Sequence, residues 1–163
     1  MKEQAHLRDF YAADDAECLW PRTQALGDGM VTTLRDYWRF AQMLLNGGEL
    51  DGRRLLSRKT VRLMATNGLP GGRDLEQMGA HPGDWLRTQG AGFGLGLSVA
   101  NSAARQQLLV SEGEFSWGGG LSTFFYVDPQ EEVVVVFLTQ LMPSGAYPIR
   151  SELRVAVNQA LID

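Results

Sequence analysis

The run Phe115-Ser116-Trp117-Gly118-Gly119-Gly120-Leu121-Ser122-Thr123-Phe124-Phe125-Tyr126-Val127-Asp128-Pro129 constrains this chain more than any other segment. Aromatic and β-branched residues on either side of a glycine triplet read as two strands around a corner, and Asp128-Pro129 reads as a closing turn. Consecutive glycines leave strand edge bare of side chains, so a ligand can lie against that backbone and hydrogen-bond to it. Strands are expected over about Leu109 to Trp117, Leu121 to Val127 and Glu132 to Thr139. Short turns join them, which makes them antiparallel neighbours. Phe93-Gly94-Leu95-Gly96-Leu97-Ser98-Val99 alternates as a further strand. The expected fold class is α+β: an antiparallel sheet of three to five strands packed by a C-terminal helix, with two helices before it.

The helices announce themselves by spacing and by their ends. Leu34, Tyr37, Trp38, Ala41, Leu44 and Leu45 recur at helical intervals. Thr33-Leu34-Arg35-Asp36 resembles a capping box, and Gly47-Gly48 stops the helix. Asp51-Gly52 is a tight-turn dipeptide joining Glu49-Leu50 to Arg53-Arg54-Leu55. Ser57 is a second N-cap, with Leu56 and Val61 at the positions of a hydrophobic staple. Ile149, Leu153, Ala156, Val157, Ala160 and Leu161 fall on one face of a terminal helix over Tyr147 to Ile162, a face expected to pack on the sheet. The 163 residues divide into an irregular arm (1–28), a helical part (29–68), a long loop (69–92) and the sheet with its helix (93–163), all within one domain.

Composition narrows the function. Hydrophobic residues make up 44%, enough for a packed core. The longest apolar run, Val133 to Leu138, is strand-sized, well short of the roughly 20 residues of a membrane helix. Net charge is −4 with no basic cluster, which argues against nucleic acid as a partner. Met1-Lys2-Glu3-Gln4 shows no hydrophobic signal core, which leaves the compartment open with the cytoplasm favoured. Cys18 is the single cysteine, so no intrachain disulfide forms, and a plain packed or half-exposed thiol is the expected role. Asp14, Asp15 and Glu17 lack the spacing of a calcium loop and read as a solvated face. His6 and His81 are the two histidines; His81 precedes Asp84 in the long loop, but there is no G-x-S-x-G elbow, and a solvated histidine is expected. No metal or cofactor is expected.

The triplet with its Trp resembles the third motif of serine hydrolases with the β-lactamase/penicillin-binding fold, in the variant of the family VIII esterases (class C β-lactamase-like). There Trp-Gly-Gly stands where penicillin-recognising relatives carry Lys-Thr-Gly or His-x-Gly. Gly29-Met30-Val31-Thr32-Thr33, Asp36-Tyr37, Arg39-Phe40 and Met43-Leu44-Leu45-Asn46-Gly47-Gly48 are similar to the family's helix entered from a glycine loop. Leu55-Leu56-Ser57, Lys59-Thr60-Val61, Leu63-Met64, Gly92-Phe93-Gly94-Leu95-Gly96 and Val133 to Pro143 continue the likeness. The resemblance runs from about Asp28 onward and implies a C-terminal portion of the fold, hence an incomplete one.

The resemblance implies that the Gly120 backbone N–H helps to hold an oxyanion, that Trp117 supplies an apolar wall, and that Gly118 and Gly119 keep the acyl path open. Trp117 in place of a cation favours neutral esters over β-lactam acids. The family nucleophile lies in Ser-x-x-Lys. The two lysines here are Lys2 and Lys59, and Leu56 stands three positions before Lys59, so this chain carries no such nucleophile. The second motif, a Tyr or Ser with Asn two residues on, is missing as well. Two functions are expected. One is a hydrolase segment serving an ester or β-lactam-like small molecule in a complete enzyme, inactive alone. The other is a binding or assembly module. The Glu132 to Thr139 edge would pair with an N-terminal catalytic half or with a second copy.

Overall fold

The structure is a computed structural model describing residues 32–80 and 87–161. His6, Asp14, Asp15, Glu17, Cys18, Gly29, Met30, Val31, His81 and Asp84 lie outside the described residues, as does the expected arm. From Leu34 onward the chain forms one compact unit. Its architecture is the expected α+β arrangement.

Helix α1 spans Leu34–Leu45. Its C-terminus is a Schellman motif: Gly48 N–H bonds to Met43 O at 2.8 Å and Gly47 N–H to Leu44 O at 3.0 Å. Gly48 has φ +96°, and a Cβ there would lie 2.2 Å from Leu56 O, so two requirements select glycine. The hairpin of β1 (Glu49–Leu50) and β2 (Arg53–Arg54) follows. Asp51 and Gly52 turn it with φ of +51° and +72°, the left-handed pair of a type I′ turn. Helix α2 spans Arg58–Met64, and Ser57 Oγ accepts from Thr60 N–H at 3.0 Å.

The main sheet is wholly antiparallel, in the order β3 (Ala91–Phe93), β4 (Ser98–Ala100), β5 (Phe115–Gly118), β6 (Phe124–Asp128), β7 (Val133–Phe137). The single strand expected over Phe93 to Val99 is instead a hairpin. Gly96 takes φ +77°, and Gly94 N–H returns to Leu97 O at 2.8 Å. A Cβ on Gly94 would sit 1.9 Å from Met64 O, so α2 also demands glycine there. The strand expected from Leu109 is shorter too and begins at Phe115. Ala100 N–H bonds to Glu114 O and Gly113 N–H to Ala100 O, both at 2.8 Å, with Gly113 at φ +95°. Ala100 therefore faces two residues across a glycine β-bulge, which bends the chain out of the ladder. Residues 103–106 form the one-turn helix α3 (Ala103–Gln106) capped by Ser102.

Alternation along β6 assigns the two faces of the sheet. Phe125 and Val127 point with their partners Trp117, Phe115, Val134 and Val136 toward α1. Tyr37 meets Phe125 edge-on at 5.2 Å, and Ala41 and Leu44 are buried in the same cluster. Burying a residue such as Leu44 or Phe115 contributes about 1.5–3 kcal/mol. The apolar stripe read from the sequence was broader than this contact. Leu34 and Trp38 are 53% and 44% exposed, because the sheet meets only the Tyr37–Ala41–Leu44 side of α1.

Phe124, Tyr126 and Asp128 point the other way, beneath α4 (Ile149–Ala160). The apolar face expected for α4 is only partly used. Ile149, Leu153 and Val157 are half-buried, Ala156, Ala160 and Leu161 are exposed, and the one fully buried residue is Arg154. The helix docks through polar groups instead. Arg154 Nη2 meets Glu114 Oε1 at 2.6 Å and its guanidinium lies 4.7 Å from the Tyr126 ring centroid. Asn158 Nδ2 donates to Leu109 O at 3.1 Å. The loop before β3 is pinned by Asp74, 2% exposed, which accepts from the N–H groups of Gln77 and Gly90 and pairs with Arg105.

Candidate active site

Strand β5 and the turn after it build the site. Gly119 N–H bonds to Thr123 O at 2.9 Å, and Ser122 N–H to Gly119 O at 3.2 Å, closing a turn over Gly120-Leu121. Ser122 at φ +63° then re-enters β6, a three-residue hairpin loop with a left-handed last residue. Pairing of β4 with β5 stops at Ser98↔Ser116. Hydrogen-bonding direction alternates along an antiparallel strand. With Gly119 turned to β6, the N–H and C=O of Gly118 face the uncovered edge. Gly120 is exposed, a Cβ there would meet nothing within 4 Å, and its amide has no acceptor among the described residues.

The hairpin tip is braced from outside itself. Arg150 Nη2 donates to Gly119 O (3.0 Å), Thr123 O (2.9 Å) and Ser144 Oγ (3.1 Å). Ser144 Oγ donates to Gly119 O at 3.3 Å. Ser122, 5% exposed, donates to Leu141 O at 2.8 Å, and Leu141 N–H returns to Leu121 O at 3.1 Å. Burial, and secondarily the neighbouring Arg154, lower the pKa of Arg150.

The glycines divide the work. A Cβ on Gly118 would come 2.8 Å from Arg150 Nη2 and 2.9 Å from Thr123 O, so Gly118 is glycine because Arg150 passes there. A Cβ on Gly119 would come 2.6 Å from Thr123 Oγ1. Of the triplet, Gly120 alone borders open space. Trp117 projects to the α1 side, half-buried, with Phe93 edge-on at 5.3 Å.

Sequence reasoning missed Arg150 and Ser144. One signal was present. Arg150 sits in the first turn of α4, where a cation opposes the helix dipole and needs a compensating partner. Among the described residues no group of His, Cys, Asp and Glu could hold a metal ion, and no helix is long and apolar enough to cross a membrane.

A family model described as Beta-lactamase matches residues 2–159. This chain belongs to the Beta-lactamase family. In this Beta-lactamase family member, 120 residues are 38% identical to Protein Rv1367c of Mycobacterium tuberculosis (strain H37Rv), covering 72% of the chain and 29% of that protein. The Uncharacterized protein MT1414 of M. tuberculosis (strain CDC 1551) matches to the same extent. The chain thus spans under a third of the curated relatives' length. Among solved structures, EstCE1, a hydrolase with promiscuous acyltransferase activity, aligns with TM-score 0.62 and 25% identity over 79% of this chain and 30% of that one. Simvastatin Synthase (LovD) from Aspergillus terreus aligns with TM-score 0.56 and 26% identity over 78% of this chain and 32% of that one.

Proposed function

We propose that this chain is the C-terminal segment of an esterase-like serine hydrolase working through an acyl-enzyme, and that it supplies the oxyanion-side wall of the site. The observation that carries the reading is the Gly120 amide, exposed and without an acceptor among the described residues, on a hairpin braced by Arg150 and Ser122. A fixed N–H of this kind stabilises charge developing on a carbonyl oxygen without reorganising during the reaction. Gly118 offers its backbone at the adjoining edge, and Trp117 provides apolar surface. The likeness to a hydrolase with acyltransferase activity supports acyl chemistry. With no Ser-x-x-Lys in the 163 residues, the attacking hydroxyl comes from chain outside them.

The test has two parts. The chain alone is expected not to hydrolyse p-nitrophenyl esters or nitrocefin; turnover abolished by mutating one of its own serines would refute this. Co-expression with the segment of a longer relative that carries Ser-x-x-Lys is expected to yield hydrolysis. In that complex Gly120→Pro removes the amide hydrogen at a turn position that proline fits, and should lower kcat by about 10²–10³. An unchanged kcat would remove Gly120 from the mechanism.

A second reading, an assembly module, rests on β7. It is the last strand of the sheet, its outer edge is unpaired among the described residues, and all five of its residues are half-buried. Such an edge invites strand addition. Dimerisation seen by light scattering and abolished by Val135→Lys supports it; a strict monomer at high concentration counts against it.

A further inference from the structure

On the face of the sheet opposite the Trp117 side chain lies a cavity of about 90 Å³ that the reading above does not use. Its floor is the cross-strand pair Ser98 and Ser116 beside Gly118, and its roof is the N-terminal half of α4. Small residues on β4 and β5 create it, since no side chain there reaches α4. Ser98 is 5% exposed and Ser116 half-buried; neither hydroxyl has a hydrogen-bond partner among the described residues, and both residues line the cavity. Arg87, at the rim, makes no ion pair with any described residue. Arg150 and Arg154 line the roof, and among the described residues no Asp or Glu lines the cavity. The α4 N-terminus, where Pro148 offers no side-chain cap, adds its partial positive charge.

We propose that this cavity binds a small carboxylate. Two hydroxyl donors on the floor, a guanidinium at the rim and a helix N-terminus converge on one space. That set is complementary to two acceptor oxygens bearing a negative charge. The volume equals that of about three water molecules, enough for a carboxylate and one or two methylenes. Gly118 and Trp117 also border the cavity, so an occupant lies against the back of the same strand whose edge flanks the hairpin.

The site is tested on the full chain by calorimetric titration, independently of any catalysis. The probes are acetate, succinate, inorganic phosphate and, as the neutral control, succinamide. Saturable binding of succinate or acetate is expected, with succinamide at least tenfold weaker. Arg87→Gln, at an exposed position, should weaken carboxylate binding about tenfold, and Ser98→Ala should weaken it severalfold. Circular dichroism should show both variants folded. Three results would each overturn the proposal: no saturable carboxylate binding, equal binding of succinamide, or binding untouched by both substitutions. Tighter binding of phosphate than of either carboxylate would overturn the carboxylate assignment. None of these outcomes bears on Gly120, so the hydrolase reading stands or falls by its own test.

Discussion

Replacing Glu114 by Gln tests how α4 is held to the sheet. Glu114 is 3% exposed and its carboxylate meets Arg154, itself 8% exposed. Burial pushes its pKa from 4.5 up to about 7; Arg154 pulls the other way, and Asp128 adds to the rise. Loss of hydration thus outweighs the ion pair, as buried pairs often show. Between pH 4.5 and about 7 the native state keeps a proton that the unfolded chain has released. Stability therefore falls as pH rises through that window and is fully present below it. A shift of this size at ~1.36 kcal/mol per unit amounts to about 3 kcal/mol. Gln mimics the protonated acid at every pH and brings the buried group Glu114, Asp128 and Arg154 from net −1 to neutral. Glu114→Gln is therefore expected to match the parent near pH 4.5 and to exceed it by up to about 3 kcal/mol at pH 8. Urea unfolding followed by tryptophan fluorescence and circular dichroism across that range measures both curves. The reasoning fails if the variant is instead less stable at pH 8 by the ~3–5 kcal/mol typical of a broken buried pair. It fails equally if the parent's stability is flat over the window.

Three further expectations follow from single contacts. Tyr126→Phe should stabilise the chain by about 1 kcal/mol in urea unfolding, because the buried Tyr126 hydroxyl has no hydrogen-bond partner among the described residues. Gly118→Ala should cost about 1–3 kcal/mol and raise hydrogen exchange in the hairpin, since its Cβ meets Arg150 and Thr123 O. A neutral result would show that Arg150 has room to move. Ser57→Ala should lose about 1 kcal/mol with the cap on Thr60 N–H, read as a lower thermal midpoint.

The family, the consecutive strands β5, β6 and β7 and the glycine hairpin were legible because each is written in neighbouring residues. Phe93 to Val99 misled because period-two alternation does not distinguish one strand from two strands folded back at Gly96. The face of α4 misled for a different reason. Its apolar residues have helical spacing, but the sheet beneath it presents Tyr126, the small residues Ser98, Ser116 and Gly118, and the carboxylate of Glu114. Arginines suit that surface better than leucines do. Of the candidate site, Trp117 and the triplet were named in advance, whereas the brace on Gly119 was not.

The amino-acid order by itself determined the caps, the turns and the strands: Gly47-Gly48, Asp51-Gly52, Ser57 and the Trp117–Gly120 corner act through bonds spanning a few residues. Only the tertiary structure decided why Gly118 lacks a side chain and what steadies Gly119, because Arg150 reaches Gly119 O from 31 positions away. Local chemistry repeats wherever its short pattern occurs. A contact made through space depends on where packing leaves room for a guanidinium, and no spacing along the chain encodes that.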